Sequence, residues 1–454
     1  MRKTVLVVVF VLVGASCDWP QYLYGPERSG SSPDTSISAA AISGGQVVLR
    51  WNAGGGGDTA PVAAGGLVYH GGAGGGVDVF DSRGRSNCTG SPAVCSPLWT
   101  AVAQGTVLSH PAVANGVLVA LGLNGSNGLV AAFDAAGVTH CSGVPKVCAP
   151  LWTATTVDTA SSVTVAQGVV YQSSKFPSFP PSVGVAAYDL AGSRNCGGSP
   201  VVCTPLWSAT VPGDTSVPPS VANGVAYLAA STGLFAFDAG GRTNCQFTPV
   251  VCEPLWVAGV PGGVASGAYP VVANGLVFVA GASPKNLYGF DAAGVRGCDA
   301  TLGVCGPVWN AAQAGPNPSV ADGKVYVNTA DSIAVFDATG STNCQGTTVK
   351  TCSALWSYNT GSPDCYWATG ACGELSPPVL ANGVLYQGYF NKGTNGLNAY
   401  DATATIGCSG VPKRCGPIRF WSGGSNGAPA ISNGFIYIRA AFSGPLNAFG
   451  LPSA

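Results

Sequence analysis

One unit recurs along almost the whole chain. Its clearest copy, WSATVPGDTSVPPSVANGVAYLAASTGLFAFDAGGRTNCQFTPVVCEPLW, runs from Trp207 to Trp256. Unit-opening tryptophans stand at Trp51, Trp99, Trp152, Trp207, Trp256, Trp309, Trp356 and Trp421, at spacings of 48, 53, 55, 49, 53, 47 and 65 residues. Eight units of this period point to a propeller, a solenoid or an array. Composition sharpens the choice: 66 of 454 residues are Gly and only 9% are charged, which favours short strands and tight turns over helices.

Within the unit, PSVANGVAYL reads as strand, Asn-Gly turn and strand, because both turn positions require positive φ. Asn-Gly recurs at 115–116, 223–224, 274–275, 382–383 and 433–434, with Asp322-Gly323, Gln167-Gly168 and Gly65-Gly66 as variants. LFAFD supplies a third strand and PLWSA-like segments a fourth, so each unit predicts one four-stranded antiparallel blade. The last unit stops after its third strand, LNAFG, and the early segment QVVLRW is a fourth strand lacking its first three. Pairing the two closes a ring and removes the exposed edges. The expectation is an all-β, eight-bladed propeller over 46–454, preceded by an N-terminal segment, 17–45.

The pattern VANGVVY, LxAFDAxG and LW, with DWPQYLYGPERSG at Asp18–Gly30, resembles the PQQ-like (pyrroloquinoline-quinone-like) propeller repeat. That family includes quinoprotein alcohol dehydrogenases and BamB-like outer-membrane assembly lipoproteins. The resemblance implies a fold rather than an activity, since folds and sites are separable. In the dehydrogenases the quinone lies between a Trp and a disulfide of adjacent cysteines, beside calcium and a catalytic carboxylate. This chain has no Cys-Cys dipeptide. The eight tryptophans occupy one repeat position and read as packing between blades. PQQ and calcium are therefore not expected, nor any other cofactor, catalytic residue or metal ligand.

Sixteen of the 17 cysteines form local pairs: Cys88/Cys95, Cys141/Cys148, Cys196/Cys203, Cys245/Cys252, Cys298/Cys305, Cys344/Cys352, Cys365/Cys372 and Cys408/Cys415. Zinc clips use closer spacings with a second pair or His nearby, and haem attachment needs C-x-x-C-H. Most of these pairs bracket the connection between third and fourth strands, where a hairpin brings two sulfurs together, so disulfides are expected. Residues 1–16 read as a signal peptide, with Arg2 and Lys3, the apolar Val5–Val13, and Gly14-Ala15-Ser16. Cys17 is left over. Cleavage before it with acylation at Cys17 makes a lipoprotein; cleavage after Ala15 leaves an incidental thiol.

A net charge of −1 with 19 Lys plus Arg and no basic run excludes a nucleic-acid track. The aspartates closing the third strands, Asp81, Asp134, Asp189, Asp238, Asp291, Asp337 and Asp401, read as turn formers that accept backbone N–H groups. Asp58-Thr59, Asp158-Thr159 and Asp214-Thr215 precede innermost strands and offer a weak oxygen site for a hard cation, with local capping as the alternative. Departures from the repeat carry aromatics: Tyr366 and Trp367 within Ser357–Pro378, Phe176 and Phe179 among prolines, and Tyr389 and Phe390 in unit seven. Such side chains on a rigid scaffold either bind a partner or pack on one another. The combined expectation is a monomeric, non-enzymatic scaffold at the cell envelope, contacting a protein or glycan and reaching the membrane only through a lipid anchor. A PQQ-dependent oxidoreductase is the alternative.

Overall fold

In the computed structural model, residues 17–452 are described except 55–58, 73–74, 103–110, 125–126, 157–162, 177, 179, 215–216, 313–314, 330–331, 361–375, 392–393, 423–426 and 441–443. Eight sheets form an eight-bladed propeller. Blade one comprises Val62–Ala64, Leu67–Gly71, Val77–Asp81 and Trp99–Ala101, from the axis outwards. Blades two to seven begin at Ala112, Val163, Ser220, Val271, Ser319 and Val379. Blade eight joins Ala430–Ser432, Phe435–Arg439 and Leu446–Gly450 to the early strand Val48–Ala53. The ring therefore closes as the two fragments require, with Trp51 opposite Ala448. All eight first-to-second turns carry positive φ at both central residues, from Gly65-Gly66 to Asn433-Gly434. This twist matches the flanking strands and holds each hairpin in register.

The cysteine hairpins extend the blades in a way the repeat does not announce. Four antiparallel strands form each blade as expected, but in seven of the eight sheets two more strands follow, donated by the neighbour. Cys141–Ser142 and Val147–Cys148 follow the third strand of blade two yet lie on the outer edge of blade one, with Val147 opposite Thr100 and Cys148 opposite Ala101 in parallel. Each such hairpin covers an edge that otherwise presents open backbone groups. In blade seven the sheet starts instead with Ser31–Ser32, paired in parallel with Val379–Ala381 on the axial side.

Between several pairs of blades, a Trp from the fourth strand and a Tyr from the second reach the turn that follows the neighbour's third strand; Val119 and Phe278 hold the Tyr position in blades two and five. Trp207 Nε1 and Tyr171 Oη, both of blade three, donate to the Ala239 carbonyl of blade four at 3.0 Å each. Trp51 and Tyr437 of blade eight make the same pair of bonds to Ser82 in blade one. Seven of the eight repeat tryptophans are buried and Trp356 is half-buried, so most of their area is removed from water at blade interfaces. One position departs. The N–H preceding the repeat Trp donates to the third strand, as Leu98 does to Val79. In blade seven Ile418 donates to Ala399, so Arg419 occupies the Trp position and Trp421 stands two residues beyond it.

Candidate functional site

The axis is where the chain departs most from the repeat. From Trp19 to Ser32 the N-terminal segment circles the innermost strands and bonds to every blade in order. Trp19 and Ala63 of blade one exchange backbone bonds at 2.7 and 2.8 Å; the Pro20 carbonyl accepts from Val113 of blade two. The Gln21 side chain both accepts from and donates to Val165 of blade three. The carbonyls of Pro26, Glu27, Ser29 and Gly30 then accept from Val221, Val272, Val320 and Leu380 of blades four to seven. Ser32 Oγ donates to the Ile431 carbonyl of blade eight. Contacts to turn residues place this thread at one end of the axis: Gly65 N–H donates to Asp18, and Gly434 N–H to Asp34.

That end is the turn side of the ring, which strand alternation assigns to the first-to-second turns and third-to-fourth connections together. The remaining connections lie on the opposite, loop side. The thread's backbone is held in unusual conformations: Leu23, Tyr24 and Arg28 have φ of 60°, 80° and 58°. Such residues persist where surrounding structure over-determines them. Gly30 has no alternative, since a Cβ there would meet Ser319 Oγ at 2.0 Å and φ is +66°. Arg28 is fully buried. Its guanidinium donates to Thr164 Oγ1 at 2.7 Å and to the Tyr22 carbonyl at 3.2 Å, and lies 4.7 Å from the centre of the Tyr269 ring. Burial lowers its proton affinity, while Tyr269, Tyr22 and Glu27 act in the opposite direction.

The seven turn aspartates are structural, as their sequence context implies. Asp337 accepts from the N–H groups of Thr339, Ser341 and Thr342 at 2.6–3.0 Å, and Asp189 from Ser193 and Arg194. Partial burial disfavours ionisation of Asp189, but hydrogen bonds from Ser193 and Arg194 outweigh it and its carboxyl drops to about 2. Asp337 and Asp401 are held lower still by the same kind of bonds.

Of the Asp-Thr pairs, Asp58, Asp158, Thr159 and Thr215 lie outside the described residues. Thr59 Oγ1 accepts from the Gly71 N–H at 2.8 Å, and Asp214 is paired with Lys175 at 2.5 Å. Among the described residues no three His, Cys, Asp or Glu converge as metal ligands. Seven of the cysteine pairs are disulfides: Cys88–Cys95, Cys141–Cys148, Cys196–Cys203, Cys245–Cys252, Cys298–Cys305, Cys344–Cys352 and Cys408–Cys415. Cys365 and Cys372, with Tyr366, Trp367 and Phe179, lie outside the described residues. Phe176 is half-buried and packs on Gly184, where a Cβ would meet its ring at 2.4 Å. Tyr389 and Phe390 lie in the second strand of blade seven, opposite Gly396 and Asn395.

His70 is a buried histidine on the second strand of blade one, opposite Asp78. Its Nε2 has no hydrogen-bond partner, and burial, with Arg439 nearby, lowers its pKa to about 4. The neutral ring is thus the resident form.

Solved structures share this architecture. BamB from Moraxella catarrhalis superposes with a TM-score of 0.56 at 13% identity, over 90% of this chain and 98% of that one. Quinohemoprotein alcohol dehydrogenase from Comamonas testosteroni gives 0.63 at 13% identity, over 96% and 81%. A second such dehydrogenase, ADHIIG from Pseudomonas putida HK5, gives 0.62 at 12% identity over the same shares. The shared property is the propeller. No family model and no curated protein matches the sequence. The resemblance to the PQQ-like repeat therefore holds at the level of the ring. The axial course of the thread was missed because it lacks the repeat's periodicity; its signal was the turn-rich run GPERSGSS, beginning at Gly25, which overlaps the stretch Asp18–Gly30 that carries part of the resemblance.

Proposed function

We propose that the mature protein is an exported, lipid-anchored, non-enzymatic propeller that holds a protein or glycan partner at the cell envelope. The observation that carries this reading is the place of Cys17. Among the described residues it is the cysteine outside a disulfide, and it directly precedes a thread bonded to all eight blades. An acyl group there would secure the ring itself rather than a trailing tail. Seven disulfides are compatible with an oxidising, extracytoplasmic compartment. BamB-like assistance in outer-membrane protein assembly is one specific version, supported by the fold of the Moraxella protein.

The scaffold reading is tested by recovering partners from native envelopes with the full protein and with residues 361–375 replaced by a Gly-Ser linker. A partner retained by the first and lost by the second supports it. Likeness to the quinohemoprotein dehydrogenases favours the second reading, a PQQ-dependent oxidoreductase. Purified protein supplied with the quinone and calcium is expected to show no cofactor absorbance and no dye reduction with alcohols or sugars. Sustained turnover would replace the scaffold reading with the enzymatic one.

A further inference from the structure

Twelve of the fifteen exposed large hydrophobic side chains among the described residues lie on the third-to-fourth connections, the ones that carry the cysteine hairpins. Four mark hairpin tips. Val144 and Val411 are fully exposed, Phe247 is 78% exposed and Leu302 72%. Their hairpins sit on blades one, six, three and four, so the tips are spread around the ring. Blade packing does not require them, because the tip position of Val144 and Val411 holds Ser91 and Ser199 in two other hairpins.

Phe247 is the most informative. Its position is Gly90, Gly143, Gly198 and Gly410 in four other hairpins, all with positive φ. Phe247 adopts the same conformation, with φ +71°. A bulky side chain there costs conformational energy, and its 78% exposure shows that little packing within the chain repays it. Backbone strain beneath an exposed aromatic points to a contact outside the chain.

The side of the ring is fixed by Asp18. Its Oδ2 accepts from Gly65 N–H in blade one, and its Oδ1 from Asn433 Nδ2 in blade eight, both in turn-side loops. Cys17 is therefore one residue from a clamped point, a reach of about 3.6 Å. An acyl chain attached at Cys17 therefore leaves from the turn side. The third-to-fourth connections belong to that same side. Lys146 and Lys413 stand two residues beyond the exposed valines; their ammonium groups donate to the Gly137 and Ala404 carbonyls and so fix a positive charge beside two of the tips.

We propose that the turn side is a lipid-docking surface: Val144, Phe247, Leu302 and Val411 enter the headgroup layer of the membrane that holds Cys17, and the loop side faces away from it. This orientation rests on the anchoring at Cys17 proposed above. An apolar fringe adds interfacial burial to the attachment that acyl chains at Cys17 supply, and it fixes which side of the ring meets the membrane.

The test uses vesicles of phosphatidylethanolamine and phosphatidylglycerol and two fluorescent unnatural residues, one replacing Thr248 beside the tip and one replacing Thr232 on the loop side. With acylated protein, lipids carrying a quencher are expected to quench the probe at 248 and to spare that at 232. Quenching at 232 alone, or at neither site while the protein still floats with the vesicles, overturns the docking surface and leaves the anchor standing. The unacylated Cys17→Ser protein separates the two ideas from the other direction. It is expected to bind the same vesicles weakly, and Phe247→Gly with Val144→Ser, Leu302→Ser and Val411→Ser to weaken that binding about tenfold or more. Unchanged binding overturns the proposal. Phe247→Gly alone keeps the test interpretable, because it restores the residue of four sister hairpins and is expected to fold at least as well while binding less.

Discussion

Gly241 has φ +66°, and a Cβ on it would lie 2.3 Å from Trp207 Cδ1. The glycine of the D-A-x-G turn thus serves two ends: it permits the turn, and it opens the place where the neighbouring indole rests. Gly241→Ala is expected to destabilise the protein by roughly 2–4 kcal/mol in urea unfolding, combining backbone strain with displacement of a buried indole. The reverse experiment exists in the sequence. Ala404 holds the equivalent turn position with φ +55° beside Trp356, whose Nε1 lacks a hydrogen-bond partner. Ala404→Gly is expected to stabilise by about 1 kcal/mol, read as a higher unfolding midpoint. His70 gives a pH signature. Its folded-state pKa, about 4, lies below the unfolded value, so it contributes stability above the ordinary histidine range that is lost as pH falls. His70→Gln is expected to flatten the stability profile between about pH 6.5 and 4. The turn aspartates add their own loss below about pH 4, because their folded-state values are depressed. At this scale the sequence was informative about Asp and Gly, whose chemistry is local. It was silent on His70, which is buried and feels Arg439 of blade eight.

The cysteine hairpins belong to the scale of elements. Their pairing follows from spacing alone, because six or seven residues between the cysteines suit a two-stranded hairpin. Their seat does not. The bond from Thr100 N–H to the Lys146 carbonyl joins residues of different units, and parallel pairing of one to three residues leaves no periodic trace. The hairpin therefore couples blade n+1 to blade n. Removing Cys141 and Cys148 together as alanines is expected to cost about 2 kcal/mol through the lost loop constraint. Because the hairpin bridges two blades, that loss is expected to appear as faster amide exchange in Trp99–Ala101 of blade one as well as in the hairpin. Exchange confined to the hairpin would show that the disulfide stabilises only its own loop. The displaced Trp421 was a misreading of the same kind: the spacing of 65 residues signalled an irregular unit, but only the Ile418–Ala399 bond shows that Arg419 holds the repeat position.

At the scale of the whole molecule, two closures hold the ring. One is the fourth strand of blade eight, legible because the last unit is short by the piece that Gln46 to Trp51 supplies. The other is the axial thread, whose bonds run mostly from backbone carbonyls and so carry little side-chain signature. Together they place both ends of the propeller sequence within the ring and leave Cys17 beside a fixed point on the turn side. Function was less legible than fold for a physical reason: the repeat specifies packing, while recognition rests on residues that depart from it. What Cys17 carries separates an anchored propeller from a free one. Mass analysis of the N-terminal peptide of protein isolated from its native envelope decides it. The expected result is a chain that begins at Cys17 and carries diacylglycerol; a chain that begins at Ser16 with an unmodified Cys17 thiol would contradict the anchored scaffold.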